Sequence, residues 1–240
     1  MRTRRIGKVS LIALVIVASV AGCARAPAPS DANDPYETVN REWFETNLAL
    51  SGGTERATPP RPSPVRRMVS NFGGNLGLPS TILNDLLQIR PDRAVENTLR
   101  FVVNTTVGLG GLFDPAGRVG LHGRRTDFGE TLHRWGMGEG AYLVLPVWGP
   151  STERDALGLA VDMVIDPLRF ALPSGDYDWT LAARGAARFA DAAEYADIID
   201  ANVINTTEPY LQARLLYLQT RRYHLGIQAE DDIIDPYADF

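Results

Sequence analysis

The single cysteine of the 240-residue chain, Cys23, is the side chain best suited to covalent chemistry. One cysteine cannot form an intramolecular disulfide, and it cannot build a cysteine-based zinc site, which needs several thiolates. A lone cysteine is most often a small buried apolar residue. Here it follows a basic start and an apolar run from Val9 to Ala21, which is the layout of a secretory signal peptide. The run is shorter than the roughly 20 apolar residues of a bilayer span, so we predict that residues 1–22 form a signal peptide.

The residues around Cys23 indicate what its thiol does. Val20-Ala21-Gly22-Cys23 resembles a bacterial lipobox, which implies lipidation of the thiol, cleavage before it and acylation of the new amino terminus. Each buried CH₂ group contributes roughly 0.8 kcal/mol, and two lipid signals already give stable anchoring. An ordinary secreted protein would instead keep a free thiol in an oxidising compartment, which is less expected. Ala24, in place of the Asp that retains some lipoproteins elsewhere, favours the outer membrane by resemblance to enterobacterial lipoproteins.

Other residue types that could catalyse a reaction are scattered along the chain. No two histidines have HExxH spacing, and the sequence contains no G-x-S-x-G motif and no P-loop. Gly136, Gly138 and Ala141 match the loosest dinucleotide fingerprint, but they follow a predicted helix instead of a strand. We therefore expect no enzymatic activity, no metal and no cofactor, and we expect the carboxylate pairs to lie on solvated faces. The histidines are His122, His133 and His224, and the carboxylate pairs are Asp176/Asp178 and Glu194/Asp197.

The charge of the chain excludes one class of partner. Without its first 22 residues the chain is 218 residues long, and the loss of four basic residues moves its formal charge from −5 to −9. Nucleic-acid phosphates require a basic surface, so an acidic exported protein is a poor candidate for binding them.

The remaining sequence predicts one mainly α-helical domain. Residues 23–33 are small, polar and rich in proline, which is typical of a flexible tether, here lipidated at Cys23. Residues 34–226 carry helical periodicity, and residues 227–240 form an acidic tail. Pro79 is expected to begin a new helix, and Thr152 with Asp155 gives a capping-box-like start. The predicted helices cover 36–50, 65–78, 79–88, a segment from Pro91, 127–135, 152–165, 179–204 and 209–225, with one strand at 141–147.

Several long segments of the chain resemble the MlaA family, also called VacJ, over nearly the whole domain. The last of these segments is long and ordered, which makes a chance match implausible. The segments are Asp34-Pro35-Tyr36-Glu37 with Asn40-Arg41 and Phe44, SNFGGNLGLPSTILNDLLQ (70–88), RAVENTLRFVVNTTVGLGGLFDPAG (93–117) and DFGETLHRWGMGEGAYLVLPVWGPSTERDALG (127–158).

This resemblance implies an outer-membrane lipoprotein of a Gram-negative bacterium, lipid-anchored on the periplasmic side. Such a protein removes phospholipid from the outer leaflet and passes it to a periplasmic carrier protein, which maintains lipid asymmetry. The implied fold is a ring of helices embedded in the inner leaflet, with a central amphipathic channel, often beside a trimeric porin. An alternative is a non-transporting envelope lipoprotein that scaffolds a porin complex, and a third class is a phospholipid hydrolase.

Two groups of side chains are candidates for the lipid path or the membrane interface. Aromatic rings in apolar, glycine-rich connections favour the headgroup level of a bilayer, although core packing is the commoner role of any single ring. A helical stripe at 82, 83, 86 and 87 has Asn84, Asp85 and Gln88 opposite. We expect Leu83 and Leu87 in the core, with Ile82 and Leu86 nearer lipid. The candidates are Ile82, Leu86, Phe113, Trp135, Tyr142 and Trp148.

Overall fold

The computed structural model describes residues 33–51, 63–173, 175–194 and 199–227. The predicted signal peptide, Cys23, most of the predicted tether and all but Ile227 of the acidic tail lie outside these ranges. The elements are α1 (Glu37–Leu50), α2 (Pro64–Leu87), α3 (Pro91–Thr106), α4 (Pro115–Arg118), α5 (Phe128–Arg134), β1 (Tyr142–Leu145), β2 (Gly149–Thr152), α6 (Glu153–Ile165), α7 (Pro167–Ala171), α8 (Asp176–Glu194), a π-helical turn (Asp200–Ile204) and α9 (Pro209–Leu225). The prediction of a mainly helical domain is confirmed.

Helix α2 runs unbroken through Pro79, so the prediction of a new helix at this residue is wrong. Proline removes one backbone donor and usually kinks a helix, but packing on both sides holds α2 together. It packs against α8 on one side and against α3 on the other. Gly73 makes the approach to α8 possible, because a Cβ there would lie 2.3 Å from the Ala187 Cβ. The guanidinium of Arg184, on α8, donates to the Leu76 carbonyl and gives the proline-containing turn a further partner.

Strands β1 and β2 form an antiparallel hairpin, of which the sequence predicted only the first strand. The second strand contains Pro150, which obscures a strand signal. Side chains from α1 form hydrogen bonds with the backbone of β1 and of the hairpin turn. Asn40 donates to the Tyr142 carbonyl (3.0 Å) and accepts from the Val144 amide (2.8 Å). Asn47 makes the same pair of bonds with the Leu145 carbonyl and the Val147 amide. The hairpin is thereby fixed to α1.

The start of the described chain is fastened to the last helix. Asp34 accepts hydrogen bonds from the Asn40 amide (2.8 Å), from the Arg214 guanidinium (2.7 Å) and from the Tyr210 hydroxyl. Tyr210 also belongs to an apolar core cluster with Tyr142, Val144 and Leu218. We call this set of contacts around Asp34 the Asp34 clasp.

Local signals at several helix ends agree with the structure. Asp127 caps α5 by accepting from the Glu130 amide, and Thr152 caps α6 by accepting from the Asp155 amide. Helix α9 has the predicted bounds and ends at Gly226, whose φ of 76° is the left-handed conformation of a helix C-cap. The helix predicted at 179–204 begins earlier, at Asp176, and residues 195–198 of it lie outside the described ranges.

Two helices bury faces other than those their apolar spacing in the sequence predicts. That spacing predicts an inward face of Val95, Leu99, Val102 and Val103 on α3, but the first three are exposed and the buried positions include Asn97 and Asn104. On α6 it predicts Leu157, Ala160, Val161 and Val164 inward, but Ala160 and Val164 are exposed. These corrections share one cause, because the helices pack through hydrogen-bonded polar side chains and small residues. The side chains buried this way include Asn40, Asn75, Asn84, Asp85, Gln88, Asn97, Asn104, Glu130, Thr131, Arg154, Asp166 and Thr180.

Candidate functional site

A cavity of about 240 Å³ lies between α2, α6, α8 and the turn of the hairpin. One wall is small and polar, because α2 presents glycines and hydroxyl groups to it. The opposite walls carry both apolar and charged side chains, so the cavity is amphipathic. Its lining includes Gly73, Gly74, Gly77, Ser80 and Thr81 from α2, the apolar Trp148, Leu159, Met163 and Leu181, and the charged Arg125, Asp127, Asp162, Arg184, Arg188 and Asp191.

Asp162 is a half-buried residue whose carboxyl group lies at the edge of this cavity. It accepts hydrogen bonds from the Asn84 amide (2.7 Å), the Ser80 hydroxyl (3.2 Å) and the backbone N–H of Phe128 (2.9 Å). Burial raises the pKa of Asp162 to about 6, in spite of these donors, because the charged form loses its water. The Asp162 carboxyl thus links α2, α5 and α6, and the free-energy cost of burying it is larger when it is ionised.

The raised pKa of Asp162 gives a pH-dependent prediction for Asp162→Asn. The folded state binds this proton more tightly than the unfolded state, so stability falls as pH rises from the unfolded pKa through about 6. The neutral variant lacks this loss. Between pH 4 and pH 7 we expect its free energy of unfolding to improve relative to the unmodified protein by on the order of 2 kcal/mol.

Urea unfolding at a series of pH values measures this difference. Asp178→Asn, at an exposed position of α8, is the matched control and should leave the pH dependence unchanged. Parallel curves for the Asp162 variant and the unmodified protein would contradict the prediction.

Arg188 reaches the cavity from α8 and lies over the ring of Trp148, with 4.4 Å between its Cζ atom and the ring centroid. Arg188 is an exposed residue by area, and the ring of Trp148 covers one face of its guanidinium. Burial lowers the pKa of Arg188, because the crowded cation loses water. Such a contact attracts a cation to an aromatic face and leaves its N–H donors unused.

Two ionic clusters brace the helices behind the cavity. Arg221 of α9 binds Asp155 through two nitrogens, at 2.8 Å each, and binds Asp127 at 2.7 and 3.0 Å. Burial would raise the pKa of Asp155, but hydrogen bonds and charge from Arg221 lower it below its ordinary value. Glu130, which is 2 % exposed, forms the second cluster with three arginines at 3.4 to 3.8 Å. These arginines are Arg90, Arg124 and Arg134.

The six candidate residues lie in three kinds of place. Trp148 is half-buried and lines the cavity. Leu86, Phe113 and Trp135 are 57 %, 47 % and 59 % exposed on the outside of the helices, and Ile82 is half-buried. Tyr142 is only 1 % exposed and packs in the core between the hairpin and α9, so its place at an interface is a wrong prediction. Leu83 and Leu87 are half-buried, which corrects the prediction that they belong to the core.

Sequence reasoning missed the charged lining of the cavity. Asp162 and Arg188 lie on different helices, and nothing in their local sequence distinguishes them from other charged helical residues. The carboxylates of Asp176 and Asp178 are exposed, as predicted, and Asp197 lies outside the described ranges. Among the described residues, no cluster of His, Cys, Asp and Glu is suited to a metal ion.

A second cavity, of about 560 Å³, opens between α1, the π-helical turn and α9. Its walls are mainly apolar, and they include Phe44, Val203, Ala213 and Leu216. No helix in the part of the chain that the structure describes is both long enough and apolar enough to cross a bilayer.

Comparison with known proteins gives consistent matches. The family model described as MlaA lipoprotein matches residues 32–224. An uncharacterised protein of Rickettsia prowazekii, RP093, is 34 % identical over 191 residues, which is 75 % of this chain and 73 % of that protein. The intermembrane phospholipid transport system lipoprotein MlaA of Escherichia coli strain K12 is 31 % identical over 210 residues, covering 82 % of this chain and 81 % of the relative.

A solved structure also matches. Its study is described as the structural basis for maintenance of bacterial outer membrane lipid asymmetry. The TM-score is 0.62 at 29 % identity, and the match covers 80 % of this chain and 98 % of the solved chain.

Proposed function

This chain belongs to the MlaA lipoprotein family, and we propose that it is the lipoprotein of an intermembrane phospholipid transport system that maintains outer-membrane lipid asymmetry. The observation that best supports this proposal is how polar and apolar side chains are distributed between the inside and the outside of the domain. An amphipathic cavity lies inside the helices, while large apolar side chains point outward. This arrangement suits a protein that has hydrocarbon outside and a path for polar headgroups within.

The outward apolar side chains support a position within one leaflet. Helices α2 and α3 and the segment after α3 expose several of them, and exposed apolar patches of this kind mark membrane or protein contacts. Helices satisfy their own backbone groups, so they can lie in hydrocarbon without crossing it. The exposed residues are Leu86, Ile89, Val95, Leu99, Val102, Val107, Leu109 and Phe113.

We place the protein on the periplasmic side of the outer membrane, anchored by a lipid on Cys23. Cys23→Ser is expected to block lipidation and to leave an unprocessed precursor, because the hydroxyl group does not replace the thiol in thioether formation. Membrane fractionation and mass measurement of the mature protein test this. A Cys23→Ser protein that still reaches the outer membrane at the normal level would show that Cys23 is not the main anchor.

The direction of transport and the carrier are the finer parts of this proposal. Phospholipid is removed from the outer leaflet and passed to a soluble periplasmic carrier, with a trimeric porin as a further partner. Deletion of the gene should accumulate phospholipid in the outer leaflet and sensitise cells to detergent. Unchanged outer-leaflet composition in a clean deletion would count against transport.

The alternative, a scaffold for a porin complex, differs in what a pull-down recovers. Capture of a soluble lipid carrier supports transport, whereas capture of porin alone supports the scaffold. A phospholipid hydrolase would release fatty acid from purified phospholipid vesicles, and we expect no release by this protein.

A further inference from the structure

Arg188 differs from the other two arginines of the amphipathic cavity in its partners. Arg184 binds Asp166 and the Leu76 carbonyl, and Arg125 lies 3.9 Å from Asp191. Arg188 contacts the ring of Trp148, and within the described ranges it makes no hydrogen bond or ion pair. A guanidinium carries several N–H donors in a fixed plane, so the donors of Arg188 remain available to a ligand in the cavity.

The surroundings of Arg188 strengthen its binding to an anion. The ring of Trp148 covers one face of the guanidinium, so water screens that face less than it screens a fully solvated arginine. The ring of Trp148 holds the guanidinium in place, which reduces the entropy lost when a ligand binds. A planar guanidinium can bind two phosphate oxygens at once, which a lysine ammonium cannot do with the same geometry.

The rest of the cavity indicates which anion fits. Leu159, Met163 and Leu181 supply an apolar wall beside the arginine, which suits the glycerol and acyl region of a lipid. Asp127, Arg125 and Asp191 act electrostatically on Arg188, so charges of both signs surround it. The apolar wall interacts with the hydrocarbon of a lipid and not with inorganic phosphate, so the phosphodiester of a lipid fits better than free phosphate.

We propose that Arg188 binds the phosphodiester group of a glycerophospholipid in the amphipathic cavity and that Trp148 positions it for this contact. The proposal rests on the proposed transport function and assigns the headgroup site within it. Arg188 is thus a specificity-determining residue, which distinguishes a phospholipid from a neutral diacylglycerol of the same chain length.

The test measures binding to the purified mature protein in a nonionic detergent. The probes are dihexanoylphosphatidylglycerol, the uncharged dihexanoylglycerol and inorganic phosphate. Arg188→Gln should weaken binding of the phospholipid by about tenfold or more, since hydrogen bonds to a charged group are lost. Binding of dihexanoylglycerol should stay within about twofold, and inorganic phosphate should bind weakly to every form of the protein.

Two further variants keep the result interpretable. Arg118→Gln removes an exposed arginine on α4 and should leave all three affinities unchanged. Arg188→Lys keeps the charge without the planar fork and should give an intermediate loss for the phospholipid. Circular dichroism and the thermal midpoint establish that each variant is folded.

Three outcomes would overturn the proposal: unchanged phospholipid binding in Arg188→Gln, an equal loss of dihexanoylglycerol binding, or inorganic phosphate binding as tightly as the phospholipid. Complementation of a gene deletion distinguishes a failure of the Arg188 assignment from a failure of the transport function. If the unmodified gene restores outer-leaflet composition and Arg188→Gln restores it equally at normal abundance, transport stands and the Arg188 assignment fails. If a deletion has no lipid phenotype, the transport function itself fails.

Discussion

Arg221→Gln is expected to lower the free energy of unfolding by about 3 kcal/mol, the lower end of the range for breaking a buried ion pair, because Arg154 and Tyr217 still contact Asp155. Arg221 binds Asp155 and Asp127 at the same time, so α9 is joined to the N-terminal ends of α5 and α6. The Asp155 side chain is only 9 % exposed and cannot recover its water without local unfolding. A loss of this size is a large part of the stability of an ordinary domain.

Denaturant unfolding of the purified protein and its abundance in the membrane fraction both measure this loss. Arg222→Gln is the matched control on the next residue of α9. Arg222 pairs with Glu139 at 2.9 Å, but its side chain is 36 % exposed, so its removal should cost at most about 1 kcal/mol. Equal losses for the two variants would mean that Arg221 contributes no more than a surface pair.

Asn84→Leu is expected to be the second most damaging change, although it makes α2 more apolar. Asn84 is 0 % exposed and donates to Asp162, while its own oxygen accepts from the Thr131 hydroxyl at 2.8 Å. Leucine is similar in size and leaves both groups short of a partner. Asp162 keeps its bonds from Ser80 and Phe128, and Thr131 keeps the Asp127 carbonyl, so the loss is that of two hydrogen bonds. A hydrogen bond to a charged group contributes about 1.5–3 kcal/mol and a neutral one about 0.5–1.5 kcal/mol, so we expect a loss of about 3 kcal/mol.

Leu86→Asn, two residues further along α2, replaces an apolar side chain by a polar one on the exposed side of the helix. Leu86 is 57 % exposed, so the fold should lose no more than about 0.5 kcal/mol in detergent solution. Its association with lipid bilayers should weaken instead. Unfolding curves and vesicle flotation measure the two effects. A larger loss of stability for Leu86→Asn than for Asn84→Leu would show that the leucine side of α2 faces the core.

The contrast between Asn84 and Leu86 also explains how far the sequence predicts the fold. Helix ends depend on local signals, such as proline at the start of α3 and α9 and the Thr152 cap of α6, and these predictions are confirmed. The inward face depends on what surrounds the protein. On α3 and α6 the prediction assumed that the apolar stripe faces the core, whereas the structure buries Asn97 and Asn104 of α3 and Arg154 and Gly158 of α6.

The amphipathic cavity was beyond sequence reasoning for a different reason. Its charged side chains come from α6, α8 and the segment before α5, and only the packing of α8 along α2 brings them together. Trp148 was singled out as an aromatic in a glycine-rich connection, but its partner Arg188 carried no signal of its own. The continuous α2 through Pro79 likewise depends on packing with α8 and α3, which a local rule for proline omits.

The Asp34 clasp has a mechanical consequence. With a lipid on Cys23, the chain between the anchor and Asp34 can extend to at most about 40 Å, little more than the hydrocarbon thickness of a bilayer, about 30 Å. A pull on that tether reaches Asn33, whose carbonyl accepts from the Tyr142 amide, and then Asp34, which passes the load to Tyr210 and Arg214 of α9. Force on the beginning of the chain is therefore shared with its last helix instead of peeling α1 away alone. If Cys23 carries the lipid, the anchor therefore pulls on the part of the domain where the start of the described chain is bonded to α9.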